Sequence, residues 1–299
     1  MLKCYRGIYT IPPACAGNAR ERGLCFVDFA ASAPYCDIDM HPDDPMEKLD
    51  AIFFSPHKFL GGPGSAGVLV FDSALYNNEV PDNPGGGTVD WTNPWGEYKY
   101  VDDIEAREDG GTPGFLQVIR AALAIKLKEQ MGTEMIRRRE EEMVSYMLPE
   151  LRKIPGLNIL ADNVDKRLGV ISFYNTGIHY NLMVKLLSDL YGIQVRGGCA
   201  CAGTYGHFLL DVSYDKSHNI VEKINSGDLS DKPGWVRLSL HPTMKESELE
   251  YFVKAVEYIV SNIEDLKKKY CYNSKKNEFM HCDDTGKAKK EVLGWFELK

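Results

Sequence analysis

The sequence predicts an α/β protein built as two units, and three observations point there. Short apolar runs of strand length recur at residues 24–28, 51–54, 67–71, 169–174 and 235–240, each too short for a helix. Longer patterns with helical spacing lie between and after them, at 115–125, 133–154, 180–191 and 245–269. Pro155-Gly156 then breaks the chain, and the pattern changes character beyond it. The expected division is a first unit over residues 1–132 and a second over 133–299, the second opening with a linking helix and closing with a tail.

Composition bounds the function. A chain of 299 residues with 44% hydrophobic and 26% charged residues has the make-up of a soluble globular protein with ample core. Its net charge of −8 argues against nonspecific nucleic-acid binding, which needs a basic surface. No run reaches membrane-spanning length, and the start, Met1-Leu-Lys-Cys-Tyr-Arg-Gly, lacks the apolar core of a signal peptide. The eight cysteines, at 4, 15, 25, 36, 199, 201, 271 and 282, are too sparse for a disulfide scaffold. They read as reduced thiols in a cytoplasmic protein.

Residues 51–71 carry the densest chemistry. Apolar runs at 51–54 and 67–71 read as paired strands, and between them stand Ser55, His57, Lys58 and the turn Gly61-Gly-Pro-Gly-Ser-Ala-Gly67. Glycines there let the backbone bend tightly and approach a bulky ligand. A lysine at the mouth of a strand, in a dry pocket, loses its proton and attacks a carbonyl as an amine. A plain hairpin with a solvated lysine fits the same residues.

Taken in order, residues 1–23 read as loop. The first strand pattern, 24–28, ends in Asp28, placed either to meet a ligand beyond the carboxyl end of a strand or to form a turn or cap. Pro84-Gly-Gly-Gly-Thr88 is a flexible turn ending in a hydroxyl. Pro113 and the apolar series Phe115, Val118, Ile119, Ala122, Leu123 and Ile125 predict a helix. In the next helical pattern the charge run from Arg137 to Glu142 reads as a solvated face. The second unit reads as strands at 169–174, 193–196 and 235–240 with helices at 180–191 and 245–269.

Two features of the second unit bear chemistry. Arg237 lies in a strand pattern, where an arginine is usually a surface or ion-paired residue. Val195-Arg-Gly-Gly-Cys-Ala-Cys-Ala-Gly203 holds Cys199 and Cys201 close to Arg196. A thiolate near arginine has a lowered pKa and is a nucleophile.

Ser55-Pro-His57-Lys58 followed by Gly-Gly-Pro-Gly-Ser-Ala-Gly-Val resembles the Schiff-base lysine segment of class V aminotransferases. These are fold-type I pyridoxal 5'-phosphate (PLP) enzymes that include cysteine desulfurases and selenocysteine lyases. The resemblance implies a partial PLP-binding large domain with a mostly parallel sheet, followed by a small C-terminal α/β domain. Lys58 would hold PLP and serve as the base. Asp28, in the Val-Asp-x-Ala segment, would pair with the pyridine nitrogen, and Ser55 and His57 would hydrogen-bond the phosphate. Ala31 stands where many members have a glutamine or histidine.

Glu108-Asp-Gly-Gly-Thr-Pro-Gly114 resembles the family's turn into a long helix. By the same resemblance Thr88 would reach a neighbour's PLP phosphate across a homodimer interface. Arg237 would grip the carboxylate of an amino-acid substrate, and Cys201 aligns with the sulfur-accepting cysteine of desulfurases. Three alternatives stay open for the cysteines: buried small residues, a metal site with His207, or a cysteine kept by an aminotransferase without desulfurase chemistry.

The resemblance spans about residues 20–265 and corresponds to the later part of a family member. An earlier stretch would supply strands, a phosphate-binding loop and a group stacked on the PLP ring. None is found in residues 1–27. The resemblance therefore implies a PLP-dependent enzyme that acts on an amino acid, in the manner of a cysteine desulfurase or selenocysteine lyase. The alternative expectation is a truncated, non-catalytic remnant or one half of a split enzyme completed by a second chain.

Overall fold

A computed structural model describes residues 2–3, 23–199 and 203–297. The chain divides into two compact units, Met1–Arg138 and Arg139–Lys299.

The first unit is built on a four-stranded sheet of β1 (Leu2–Lys3), β2 (Phe26–Asp28), β3 (Ala51–Phe54) and β4 (Val68–Phe71), in that order. The pairings β1–β2 and β2–β3 are parallel, and β3–β4 is antiparallel. Val27, Phe29, Leu49, Ile52, Phe59 and Ala124 are buried together as its core. A two-stranded ribbon follows, β5 (Val89–Thr92) and β6 (Tyr98–Tyr100), then α1 (Ile104–Glu108).

Helix α2 (Phe115–Met131) forms where Pro113 and the apolar series predict it. Only Ala121 and Ala124 of α2 are buried, whereas Phe115, Leu116, Val118, Ile119 and Leu123 are exposed. Among the described residues the apolar periodicity therefore falls largely on an exposed face. Helix α3 (Thr133–Arg152) runs from the first unit into the second.

The second unit carries an antiparallel sheet of β7 (Leu157–Ile159), β8 (Val170–Asn175), β10 (Trp235–Ser239) and β9 (Arg196–Gly198), in that spatial order. Helices α4 (Tyr180–Tyr191) and α7 (Glu246–Ser261) pack their buried faces into its core. Leu186, Leu187, Ile171, Phe173, Val256 and Ile259 are fully enclosed there. Phe173 meets Phe252 edge-on at 6.2 Å, a favoured aromatic geometry.

Several local expectations change. The short strand expected at 193–196 is instead Arg196–Gly198, because Ile193 and Val195 pack against the core while the three residues after Val195 pair with β10. The helix expected to run unbroken to residue 269 stops at Asn262. There the Asn262 side chain donates to the Tyr258 carbonyl at 2.8 Å and competes with the helical ladder. Two helices, α5 (Gly203–Leu209) and α6 (Tyr214–Asn225), occupy a segment read without helices. Helix α6 is capped by Ser213, whose hydroxyl accepts from the Lys216 amide.

Glu140 departs from the solvated charge run, since it is only 2% exposed. After α8 (Ile263–Leu266) the tail forms a hairpin, β11 (Tyr270–Asn273) and β12 (Glu278–His281), and then α9 (Lys287–Gly294). The hairpin brings the Cα atoms of Cys271 and Cys282 to 5.4 Å, and the two are joined as a disulfide. The expectation that every cysteine is a reduced thiol is corrected at this pair and at Cys25, which is also disulfide-bonded. Among the described residues no helix is long and apolar enough to cross a membrane.

Candidate functional site

In the first unit the parallel register sets Asp28 beside Phe53, at the carboxyl ends of β2 and β3. Ligands of α/β sheets gather at such ends. Asp28 Oδ1 accepts from the Ala30 amide at 2.8 Å, so the acid also fixes the turn that leaves the strand. Asp28 and Ser55 line one cavity of about 460 Å³, together with Phe53, Phe54, Gly67 and Leu69.

Ser55, His57 and Lys58 follow β3 directly. Ser55 occupies the cap position of a single helical turn, Pro56–Lys58, yet its hydroxyl makes no capping bond. The Lys58 amide donates to the Ser55 carbonyl at 3.0 Å and the Phe59 amide to Pro56 at 2.9 Å, which fixes the turn. His57 and Lys58 are exposed and are not among the residues lining the cavity. Phe59 is buried behind them, with the Lys128 ammonium 5.9 Å from its ring centre. Burial lowers the Lys128 pKa below the usual lysine value.

The glycine turn is required by packing. A methyl group on Gly62 would stand 1.8 Å from the Pro56 carbonyl oxygen, an impossible contact. Helix α2 supports the same turn: Arg120 Nη1 donates to the Pro63 carbonyl at 2.7 Å, and the Ala66 amide donates to the Gln117 carbonyl at 3.2 Å. Ser65, which the sequence reading passed over, holds a buried Oγ without a hydrogen-bond partner in this turn. A hydroxyl in the glycine turn, seven residues after Lys58, is the only sequence signal that could have drawn attention to it.

Thr88 is completely buried. Its Oγ1 donates to the Gly85 carbonyl at 2.6 Å and accepts from the Gly85 amide at 3.2 Å, so it closes its own turn.

In the second unit, Arg237 lies on β10 directly opposite Arg196 on β9. The Arg237 Nε is buried without a partner. Cys199 Sγ donates to the Pro233 carbonyl at 3.0 Å, and burial raises its pKa, which keeps it a thiol. Cys201 lies outside the described residues. His207 uses both ring nitrogens locally, with the Gly203 carbonyl at 2.9 Å and Ser217 Oγ at 3.0 Å. Among the described residues no three His, Cys, Asp or Glu side chains gather as they would around a metal.

The structure thus puts an acid at the end of a parallel strand, a lysine on the next strand's exit turn and a glycine turn after it. The family model for class-V aminotransferases matches residues 7–252, and the chain belongs to that family. Its mixed α/β fold is that of part of a PLP-dependent fold type I protein.

Among relatives, a probable cysteine desulfurase of Staphylococcus epidermidis is 34% identical over 176 residues, which is 59% of this chain and 41% of the relative. The apo structure of a cysteine desulfurase from Thermococcus onnurineus NA1 is similar at a TM-score of 0.63 and 26% identity, over 82% of this chain and 54% of that one. A C-DES mutant with glycine covalently linked to its PLP cofactor shares the fold at a TM-score of 0.60 and 18% identity, over 83% of this chain and 56% of that one. The chain thus spans 54% and 56% of these two solved chains and 41% of the curated relative.

Proposed function

We propose that the chain carries the lysine-bearing part of a PLP-dependent enzyme that acts on an amino acid in the manner of a cysteine desulfurase. The observation that carries this reading is the β2–β3 register, which brings Asp28 to the strand end from which Ser55, His57 and Lys58 depart. The residues present suit the cofactor: an acid in a cavity, an uncapped hydroxyl at Ser55 and an orphaned Ser65 Oγ in the glycine turn. When bound, PLP supplies an electron sink for negative charge developing at the substrate Cα.

Asp28 holds a proton at the pyridine nitrogen. Ser55 and His57 donate hydrogen bonds to the phosphate, a dianion that suits hydroxyl and imidazole donors. The Lys58 amine anchors the cofactor and then moves the proton at Cα. Arg237 fixes the substrate by its carboxylate through two parallel hydrogen bonds. The Cys201 thiolate would attack the sulfur of a cysteine substrate, so that an S–S bond forms as the Cβ–S bond breaks and its electron pair passes to the carbon side. Protons delivered to Cβ and, by the Lys58 amine, to Cα would then release alanine, with the sulfur left on Cys201 as a persulfide. The resemblance also supports a homodimer and a cytoplasmic setting, although the Cys271–Cys282 bond weighs against a wholly reducing one.

Incubation of the purified chain with PLP and cysteine, with alanine measured over time, tests the reading. Alanine should form, and both Lys58→Ala and Cys201→Ser should stop it. Transaminase products without alanine would keep the cofactor role and remove the desulfurase one.

A second reading is favoured by the uncovered apolar surface of the first unit, where Phe115, Leu116, Ile119 and Leu123 on α2 and Leu69 on β4 are exposed. Several large apolar side chains exposed on one helix are the kind of surface that an interaction face presents. In that reading a second polypeptide covers the face, and the chain holds PLP only in its presence or, as a remnant, not at all.

A further inference from the structure

The tail hairpin lies beyond the matched family span of 7–252. Its turn residue, Asn277, is buried with its backbone in the left-handed region at φ 55°. Asparagine tolerates that conformation and offers both a donor and an acceptor. Asn277 Nδ2 donates to the Tyr180 hydroxyl at 2.7 Å, and its Oδ1 accepts from the Tyr272 hydroxyl at 2.9 Å. Its backbone carbonyl accepts from Asn181 Nδ2 at 2.6 Å. Every polar group of its side chain is thereby spent on holding the hairpin to the start of α4.

The same two α4 residues press on strands β9 and β10. A methyl on Gly234 would stand 2.7 Å from Tyr180 Cε1 and 2.7 Å from Gly198 Cα, and one on Gly197 would stand 2.5 Å from Asn181 Oδ1. Tyr180 and Asn181 are thus wedged between the hairpin and the edge strand with no slack. Strand β9 leads directly into Cys199, whose thiol is held by Pro233, the residue before Gly234. Hairpin, α4 start, β9 and Cys199 form one continuous chain of close contacts.

We propose that the disulfide-closed hairpin is a clasp that positions β9 and Cys199 directly after it, with Asn277 as the positioning residue. Any part played by Cys199 or Cys201 in sulfur transfer rests on the functional reading above. The clasp itself depends only on packing within the second unit. The Cys271–Cys282 bond keeps the hairpin closed and so limits the freedom of Asn277.

The test is the rate at which iodoacetamide labels Cys199 in the full-length chain, followed by peptide mapping, together with amide exchange across residues 196–199. Cys36, whose thiol donates to the Ser32 carbonyl at 3.2 Å, lies in the first unit and reports any general loosening. Three variants are used: Asn277→Gly, which keeps the left-handed backbone but deletes the amide; Tyr180→Phe, which keeps the ring but deletes the hydroxyl; and the double change Cys271→Ser with Cys282→Ser. Each should speed Cys199 labelling by about tenfold, the scale expected for losing buried hydrogen bonds, with Cys36 unchanged. Asn277→Asp, which keeps the acceptor for Tyr272, should fall between wild type and Asn277→Gly.

Should Asn277→Gly also loosen Cys36, Tyr180→Phe decides, because it leaves the packing in place. Cys199 labelling within about twofold of wild type, while exchange in the hairpin rises, would overturn the proposal. Borohydride trapping of PLP at Lys58 in the same samples reports separately on the functional reading. Its failure leaves the clasp result standing, and the reverse holds as well.

Discussion

Arg237 and Arg196 stand directly opposite each other across the β10–β9 ladder. Opposed residues of an antiparallel pair project from the same face, with Cβ atoms about 4.5–5.5 Å apart, and the buried Arg237 Nε has no hydrogen-bond partner. In the proposed reading the substrate carboxylate accepts from the Arg237 guanidinium. Arg237→Lys should therefore raise KM for the amino-acid substrate by roughly 10- to 100-fold, as expected for losing a charged, two-pronged contact, with a smaller change in kcat. Steady-state kinetics against substrate concentration would read this split. An unchanged KM would remove Arg237 from substrate binding.

Glu140 predicts an acid-side stability optimum for the second unit. It is buried, with Oε1 accepting from the Gly169 amide at 3.1 Å and Oε2 without a partner. Burial pushes its pKa up to about 7, against the smaller opposing effect of the Gly169 hydrogen bond. The folded pKa exceeds the unfolded one, so the folded state holds this proton more tightly. The resulting stability is fully present below the unfolded carboxyl range and is lost as pH rises toward 7. The loss is about 3 kcal/mol if the group acts alone. Glu140→Gln should flatten the fall in urea midpoint between pH 5 and 7, and an unaltered pH profile would contradict the assignment.

Gly62 predicts a packing failure beside Lys58. With the Pro56 carbonyl 1.8 Å from the position of an added methyl, Gly62→Ala cannot be accommodated without moving the Pro56–Lys58 turn. A loss of about 3 kcal/mol or more in the first unit is expected, the scale of a severe steric clash. Gly86→Ala, where nothing stands within 4 Å, serves as the mild control. Chemical denaturation of the two variants should separate them clearly.

Much of the architecture was legible because local pattern and tertiary role agree. Residues 51–54 form the predicted strand, and α4 spans the predicted 180–191, because their apolar residues face a core. Agreement failed where tertiary context overrode the pattern. The apolar residues Ile193 and Val195 point to a strand, yet the ladder is made by Arg196–Gly198 after them. Glu140 reads as one more surface charge, and only the approach of Gly169 shows it enclosed. The tail reads as polar with a late aromatic cluster at Trp295 and Phe296 and shows no strand pattern, since its hairpin is closed by a cysteine pair and by Asn277.

The candidate site was legible as residue types in order, but not as geometry. Asp28 and Ser55 share a cavity that Lys58 does not line, and no periodicity distinguishes the two placements. Thr88 looks free in a glycine turn, while its hydroxyl is spent on Gly85. The orphaned Ser65 Oγ is visible only once the turn is folded.

The central claim is that Lys58 is the residue that takes PLP. The purified chain is titrated with PLP, reduced with borohydride, digested, and its peptides mapped by mass. The account predicts one dominant reduced adduct on Lys58, lost in Lys58→Ala and weakened in Asp28→Asn. Labelling spread over exposed lysines with none favoured at Lys58, even after a covering polypeptide is supplied, would contradict it.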